Sequence, residues 1–83
     1  MSGLKGMRVV VVGGGTGIGQ AIARSLAAAE AVVAIGGRRE SALAETAAGT
    51  SMFTHTIDVA NRESTLAFFE WATEKLGQID VLV

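Results

Sequence analysis

The stretch Val9-Val10-Val11-Val12-Gly13-Gly14-Gly15-Thr16-Gly17-Ile18-Gly19-Gln20-Ala21-Ile22-Ala23 decides the fold. Four β-branched valines in a row read as a short strand buried on both faces, the habit of strands in a parallel sheet. Five glycines then fall within seven residues. After them Ile18, Ile22 and Leu26 recur at the spacing of one helix face, among the good helix formers Ala21, Ala23, Ala27, Ala28 and Ala29. Strand, glycine turn and helix together aim free backbone N–H groups and a helix dipole at an anion. Residues 13–19 are therefore expected to hold a phosphate-bearing ligand.

Outward from this stretch, strands and helices alternate. The first strand is expected at residues 8–12 and the first helix at about 17–29. Ala31-Val32-Val33-Ala34-Ile35 is a second buried strand, ended by Gly36-Gly37. Residues 39–48 form a short alanine-rich helix, with Gly49 where a left-handed C-terminal cap is wanted. Met52 to Ile57 alternates weakly and reads as a third strand. Asn61 is an N-cap, Glu63 suits the first turn, and the helix runs to Leu76 before Gly77. In it Leu66, Phe69, Ala72 or Thr73, and Leu76 are expected to face the sheet, with Phe68 and Trp71 turned toward a further helix. Ile79-Asp80-Val81-Leu82-Val83 is a fourth strand.

This pattern predicts an α/β fold with a parallel sheet and right-handed crossovers. Two crossovers outward from the first strand and a switch to its far side give the order 3-2-1-4, half of a doubly wound sheet. Ligands bind such sheets where the order reverses, beyond the carboxyl end of the first strand. The glycines stand there.

Composition excludes several alternatives. With 83 residues the chain is one small unit, and 49% hydrophobic residues suit a close-packed layer rather than disorder. It lacks cysteine, so disulfide and thiol chemistry are out. Net charge is −1 and no basic run exceeds Arg38-Arg39, which argues against nucleic acid. No apolar run reaches the roughly 18 residues of a membrane span, and the start lacks a signal peptide's apolar segment, so the cytoplasm is expected. His55 is the one histidine and no carboxylates stand at metal spacing, so no metal site is expected. Ser25, Ser41, Ser51 and Ser64 have no nearby base in sequence to make a nucleophile.

Three glycine-rich loops have to be told apart. A triphosphate-binding loop needs Gly-x-x-x-x-Gly-Lys-Ser/Thr, and Gly14 to Gly19 is followed by Gln20-Ala21. The fingerprint Gly-x-Gly-x-x-Gly fails too, because Ile18 and Gln20 stand where its last glycine would be. Gly13-x-x-x-Gly17-x-Gly19 fits. Gly13 can take a positive φ, Gly17 lets a pyrophosphate approach the backbone, and Gly19 lets the helix pack closely on the sheet.

At these residues the sequence resembles the short-chain dehydrogenase/reductase family, whose loop is usually Thr-Gly-x-x-x-Gly-Ile-Gly. Leu4-Lys5-Gly6, Gly36-Gly37-Arg38-Arg39, Asp58-Val59 and Gly77-Gln78-Ile79-Asp80-Val81-Leu82-Val83 resemble its other signatures, in the right order along the whole chain. Val12 departs from the family, where a threonine hydroxyl helps to tie the first strand to the loop after the fourth. Valine keeps the shape and loses a hydrogen bond worth roughly 0.5–1.5 kcal/mol.

The resemblance implies a Rossmann fold whose residues 13–19 bind a nicotinamide dinucleotide, through Gly13, Gly15, Thr16, Gly17, Ile18 and Gly19. A dinucleotide site for NAD usually has an acidic residue at the end of the second strand. By family spacing that position is Gly37, followed by Arg38 and Arg39, and a guanidinium grips a 2′-phosphate well. NADP is therefore expected ahead of NAD, although two arginines opening a solvated helix would read the same. Thr16 occupies the family's other basic position. Asp58, with Val59 beside it, would accept from the adenine amino group, or else help to start the Asn61 helix. The family's catalytic serine and Tyr-x-x-x-Lys lie farther on than Val83, and this sequence has no tyrosine. The expectation is that residues 1–83 are the amino-terminal cofactor-binding half of an NADP-dependent oxidoreductase. The intact protein would act on a small carbonyl or alcohol substrate as a homo-oligomer, and these residues alone would be inactive. The alternative is a non-catalytic nucleotide-binding or structural module of 83 residues.

Overall fold

The valine run forms β1 (Arg8–Val12) in the computed structural model, which describes residues 2–83. Its middle residues are almost fully enclosed, with exposures of 1% for Val9, 0% for Val10 and 1% for Val11. After it come α1 (Gly17–Ala28), β2 (Val32–Gly37), α2 (Glu40–Ala47), β3 (Phe53–Thr56), α3 (Arg62–Leu76) and β4 (Val81–Leu82). A single 3-10 turn at Ser2–Leu4 precedes them.

The four strands form one parallel sheet in the order β3-β2-β1-β4, as the alternation predicts. The register sets Val10 beside Ala34 and Leu82, and Gly36 beside Val12 and His55. Parallel neighbours need a crossover, and each one here is a helix. Side chains alternate across the pleat. Val9, Val11, Val33 and Ile35 meet Ala23 of α1 and Leu43 of α2 on one face. Val10 and Ala34 meet Ile57 and the α3 residues Phe68, Ala72 and Leu76 on the other. Both faces are covered, so the valines need not alternate with polar residues. Each valine so buried stabilises the fold by roughly 1.5–3 kcal/mol.

The structure corrects part of the expected face of α3: Ala72 and Leu76 meet the sheet as expected, with Phe69 packed beside them, but Leu66 does not. Phe68 is fully buried against the sheet, whereas Leu66 is 53% exposed. Trp71 packs inward as well, its ring centroid 5.5 Å from that of Phe68 and 4.9 Å from that of His55. The cause lies in β2. A Cβ at Gly36 would stand 2.6 Å from the Phe68 Cζ, so the missing side chain is the space the ring fills. With Phe68 fixed there, Leu66 lies roughly 200° around the helix and must face outward.

Gly36 and Gly37 therefore belong to β2 rather than ending it. β4 is shorter than the expected 79–83, although the Val83 N–H still donates to the Val10 carbonyl at 2.8 Å. At its start the Asp80 carboxylate accepts from the Arg8 N–H at 2.8 Å, replacing a ladder bond. Asn61 caps α3 as expected, its Oδ1 accepting from the Ser64 N–H at 3.0 Å. Among the described residues, no helix is long and apolar enough to cross a membrane.

Candidate functional site

The chain leaves β1 through Gly13, whose φ of +89° is costly for any residue with a Cβ. The N–H groups of Gly13 and Gly14 then donate to one acceptor, the Gly36 carbonyl, at 2.6 and 3.1 Å, which fastens the loop to β2. Both the N–H and the hydroxyl of Thr16 turn back to the Gly13 carbonyl, at 3.1 and 2.8 Å. Thr16 is the N-cap residue of α1, yet with its hydroxyl engaged there it makes no side-chain cap. The first bond of the helical ladder runs from the Gln20 N–H to the Thr16 carbonyl. Gly17, Ile18 and Gly19 thus begin α1 with N–H groups that have no acceptor four residues back in the helix. With the helix dipole behind them, these groups suit an anion.

Two of the loop glycines differ in what a side chain would meet. A Cβ at Gly19 would run into the Gly13 carbonyl oxygen and carbon, so this glycine lets α1 close on the loop's backbone rather than on the sheet. A Cβ at Gly17 would meet nothing within 4 Å. Nothing among the described residues requires a glycine at 17.

Beside the loop lies a cleft of about 480 Å³, walled on one side by Gly13, Gly15 and Thr16. Gly37, Arg38, Arg39 and Ala42 form its second wall, and Val12, Ile57 and Val59 complete it. A smaller depression of about 320 Å³ adjoins it, lined by Arg38, Thr56, Ile57, Asp58 and Ser64. Arg38 borders both. Of the residues singled out in the sequence, Gly13, Gly15, Thr16, Arg38, Arg39 and Val59 meet in the first cleft, and Asp58 lines the second. Gly17, Ile18 and Gly19 line neither and stand at the start of α1, where Ile18 is 79% exposed.

Arg38 and Arg39 are exposed, and Arg39 is the N-cap residue of α2, again without a side-chain cap. A cation at a helix N-terminus opposes the dipole, by about 0.3–1 kcal/mol. Supporting α2 is therefore no reason for arginine at this position. Asp58 does two jobs in a turn. Its Oδ1 accepts from the Ala60 N–H at 3.0 Å and its own N–H donates to the Ser64 Oγ at 2.9 Å, which shapes the approach to α3.

Sequence reasoning passed over Gly14, Ala42, Thr46 and Ile57. Gly14 is buried, and a Cβ there would lie 2.7 Å from the Ile35 Cβ. Ile57 was visible only as the last residue of an apolar strand. Thr46 is fully buried, and its hydroxyl reaches the Gly14 carbonyl at 3.0 Å. A threonine in an alanine-rich helix carries no sequence signal of such a contact. Among the described residues, no group of His, Cys, Asp and Glu stands close enough to hold a metal ion.

The sequence model of the short chain dehydrogenase family matches residues 7–83. A glycine betaine reductase, ATRR, of Emericella nidulans is 40% identical over 85 residues, spanning 96% of this chain and 7% of its own length. A meso-2,3-butanediol dehydrogenase of Serratia marcescens is 37% identical over 79 residues, which cover 90% of this chain and 31% of that enzyme. Among solved structures, a metagenomic short-chain oxidoreductase in complex with NADP superimposes with a TM-score of 0.87 at 34% identity. The match covers 98% of this chain and 39% of that one. The chain thus spans about two fifths or less of the length of these relatives.

Proposed function

The chain belongs to the short-chain dehydrogenase family, and from that premise we propose that it binds NADP, as the cofactor-binding part of an oxidoreductase acting on a small carbonyl or alcohol substrate. In this reading residues 1–83 are one nucleotide-binding unit of a larger catalytic domain. The bound dinucleotide would supply the hydride donor or acceptor.

The residues present fit such a ligand. Gly17 leaves open space where a phosphate would approach, and the N–H groups of Gly15, Gly17, Ile18 and Gly19 would hold the pyrophosphate, with Gly13 and Thr16, whose own N–H groups are bonded within the loop, shaping its wall. Arg38, between the two depressions, would take the 2′-phosphate together with Arg39. Asp58 and Val59 would border the adenine. The Asp58 Oδ1 is already engaged with the Ala60 N–H, so its second oxygen would be the acceptor. The observation that carries the choice of NADP is the pair Arg38-Arg39 at the dipole-positive end of α2, next to Gly37 where an acid would select NAD. The arginines weaken their own helix and are accounted for by an anion in the cleft. The similar oxidoreductase in complex with NADP supports the same reading.

Catalysis is a separate matter. The sequence has no tyrosine, so it holds no phenol to serve as the family's general acid or base. We infer that the 83 residues bind the cofactor without turnover of a carbonyl substrate.

Titration of the protein with NADPH and NADH, followed by ligand fluorescence or calorimetry, tests the cofactor. NADPH is expected to bind more tightly, and Arg38→Ala to weaken NADPH by roughly 10–100-fold, the scale of one charge-assisted bond, while leaving NADH nearly unchanged. Equal affinities for the two, unmoved by Arg38→Ala, would refute the reading.

A further inference from the structure

Thr46 is a buried polar side chain of α2 with 0% exposure, and its hydroxyl has one proton to give and two lone pairs to offer. Two carbonyl oxygens compete for the proton, Gly14 at 3.0 Å and Ala42 at 3.1 Å. The Gln20 amide nitrogen donates into the same oxygen at 3.1 Å. This direction is forced, because with both carbonyls already seeking the proton only an N–H from Gln20 completes the set. The bond to Ala42 is the ordinary back-bond of a threonine to the preceding helical turn. It would satisfy Thr46 without help from the loop. The bond to Gly14 is the additional one, and it spans 32 positions of sequence to reach the glycine loop.

Its effect passes through a single peptide plane. The Gly14–Gly15 peptide is planar and trans, so its C=O and N–H point in opposite directions. With the Gly14 carbonyl drawn toward buried Thr46, the Gly15 N–H is turned away from it, and Gly15 lines the cleft. Among the described residues the Gly15 N–H makes no hydrogen bond. The Gly14 N–H is held by the Gly36 carbonyl, so residue 14 is anchored on both sides while the next donor is left free.

We propose that Thr46 is a positioning residue for the dinucleotide: by holding the Gly14 carbonyl it presents the Gly15 N–H to a ribose or phosphate oxygen in the cleft. This rests on the dinucleotide reading above. Gln20 assists by donating to the hydroxyl, which leaves the hydroxyl proton for the carbonyls.

The test is the affinity of Thr46→Val and Thr46→Ser for NADPH and NADH at a temperature where each variant is fully folded, with the Gly15 amide followed by NMR without ligand. Valine keeps the volume and removes the donor. It is expected to weaken binding about fivefold and to shift the Gly15 amide, whereas serine keeps both within about twofold of the parent. Equal loss for the two dinucleotides places the contact on the part they share. Loss for NADPH alone places it on the 2′-phosphate. Either supports the proposal. A Thr46→Val protein that melts earlier but binds both ligands as the parent does, with an unmoved Gly15 amide, overturns it and leaves Thr46 merely structural. If the parent itself binds neither dinucleotide, the cofactor reading has failed instead, and this inference falls with it. Should valine prevent folding, Thr46→Cys, a weaker donor of similar volume, is expected to fall below serine in affinity, and equal affinity for the two overturns the proposal.

Discussion

Gly17 and Gly19 stand two residues apart in the same turn, yet alanine is expected to move stability in opposite directions at the two positions. At Gly17 an added Cβ meets nothing within 4 Å, and the residue has helical backbone. Gly→Ala at such a site stabilises by about 0.4–1 kcal/mol, largely by narrowing the unfolded ensemble. At Gly19 the added Cβ collides with the Gly13 carbonyl, which is backbone and cannot swing aside as a side chain would. Overpacking of this kind costs about 1–3 kcal/mol. Because the obstacle is backbone, the upper part of that range applies, and the helix-propensity gain of about 0.8–1 kcal/mol leaves a net loss of about 1–2 kcal/mol. At about 4–8 °C per kcal/mol for a domain this size, Gly17→Ala should melt a few degrees above the parent and Gly19→Ala about 5–15 °C below it. Thermal unfolding by circular dichroism reads both. NADPH titration of the folded variants then completes the comparison. Gly17→Ala is expected to lose at least tenfold in affinity despite its added stability, because its methyl occupies the space proposed for the pyrophosphate. A Gly17→Ala protein that is destabilised, or one that is stabilised and binds NADPH undiminished, would refute the assignment of this glycine to the ligand.

Two further outcomes test the packing that positions the site. Gly36→Ala should destabilise by about 1–3 kcal/mol by pushing on Phe68, and a smaller ring-site residue in Gly36→Ala/Phe68→Leu should recover part of that loss. Purely additive losses in urea unfolding would show that the two positions do not share the space. Asn61→Ala should cost about 1 kcal/mol by removing the cap of α3 without altering NADPH affinity, and a change in affinity would count against the separation of that helix start from the cleft.

What the sequence disclosed was decided locally. β1, the turn at Gly13 and the start of α1 follow from valines, a positive-φ glycine and alanines within one short run, and the strand order follows from alternation and crossover rules. The face of α3 was legible only in part, through Phe69, Ala72 and Leu76. Counting apolar residues favoured Leu66, but the helix is rotated so that Phe68 fills the gap above Gly36, a fact that belongs to the partner strand. The same holds for the end of α1, where Glu30 takes a φ of +67° that its residue type gives no reason to expect. Its carbonyl accepts from the Gly6 N–H at 3.0 Å, so the conformation answers a contact far back in the chain. In the site, the glycines and arginines were legible because their residue types are chemically pointed. Thr46 was not, since its meaning lies in a carbonyl 32 positions away.

The helix starts give an independent argument for where the proposed ligand would lie. α3 begins with a completed Asn61 cap, carries Glu63 in its first turn and Lys75 in its last, and so meets its dipole at both ends with its own side chains. α1 has no side-chain cap and no acid in its first turn, and the one hydroxyl able to cap it is turned to the Gly13 carbonyl. α2 has no side-chain cap either and places Arg39 at its positive end, with only Glu40 in opposition. A missing cap costs about 1 kcal/mol, which a chain of this size has little reason to forgo twice. The two uncapped helices border the cleft; the capped one begins past Asp58, where the cleft gives way to the smaller depression. An uncapped helix start beside the cleft at Thr16 and two arginines on its wall, which make no ion pair among the described residues, are what an anionic ligand would complete. Such a ligand would then stabilise the fold by an amount set by its concentration relative to its dissociation constant. Binding and folding in this chain are on that view a single thermodynamic question, answered at residues 13–19 and 37–39.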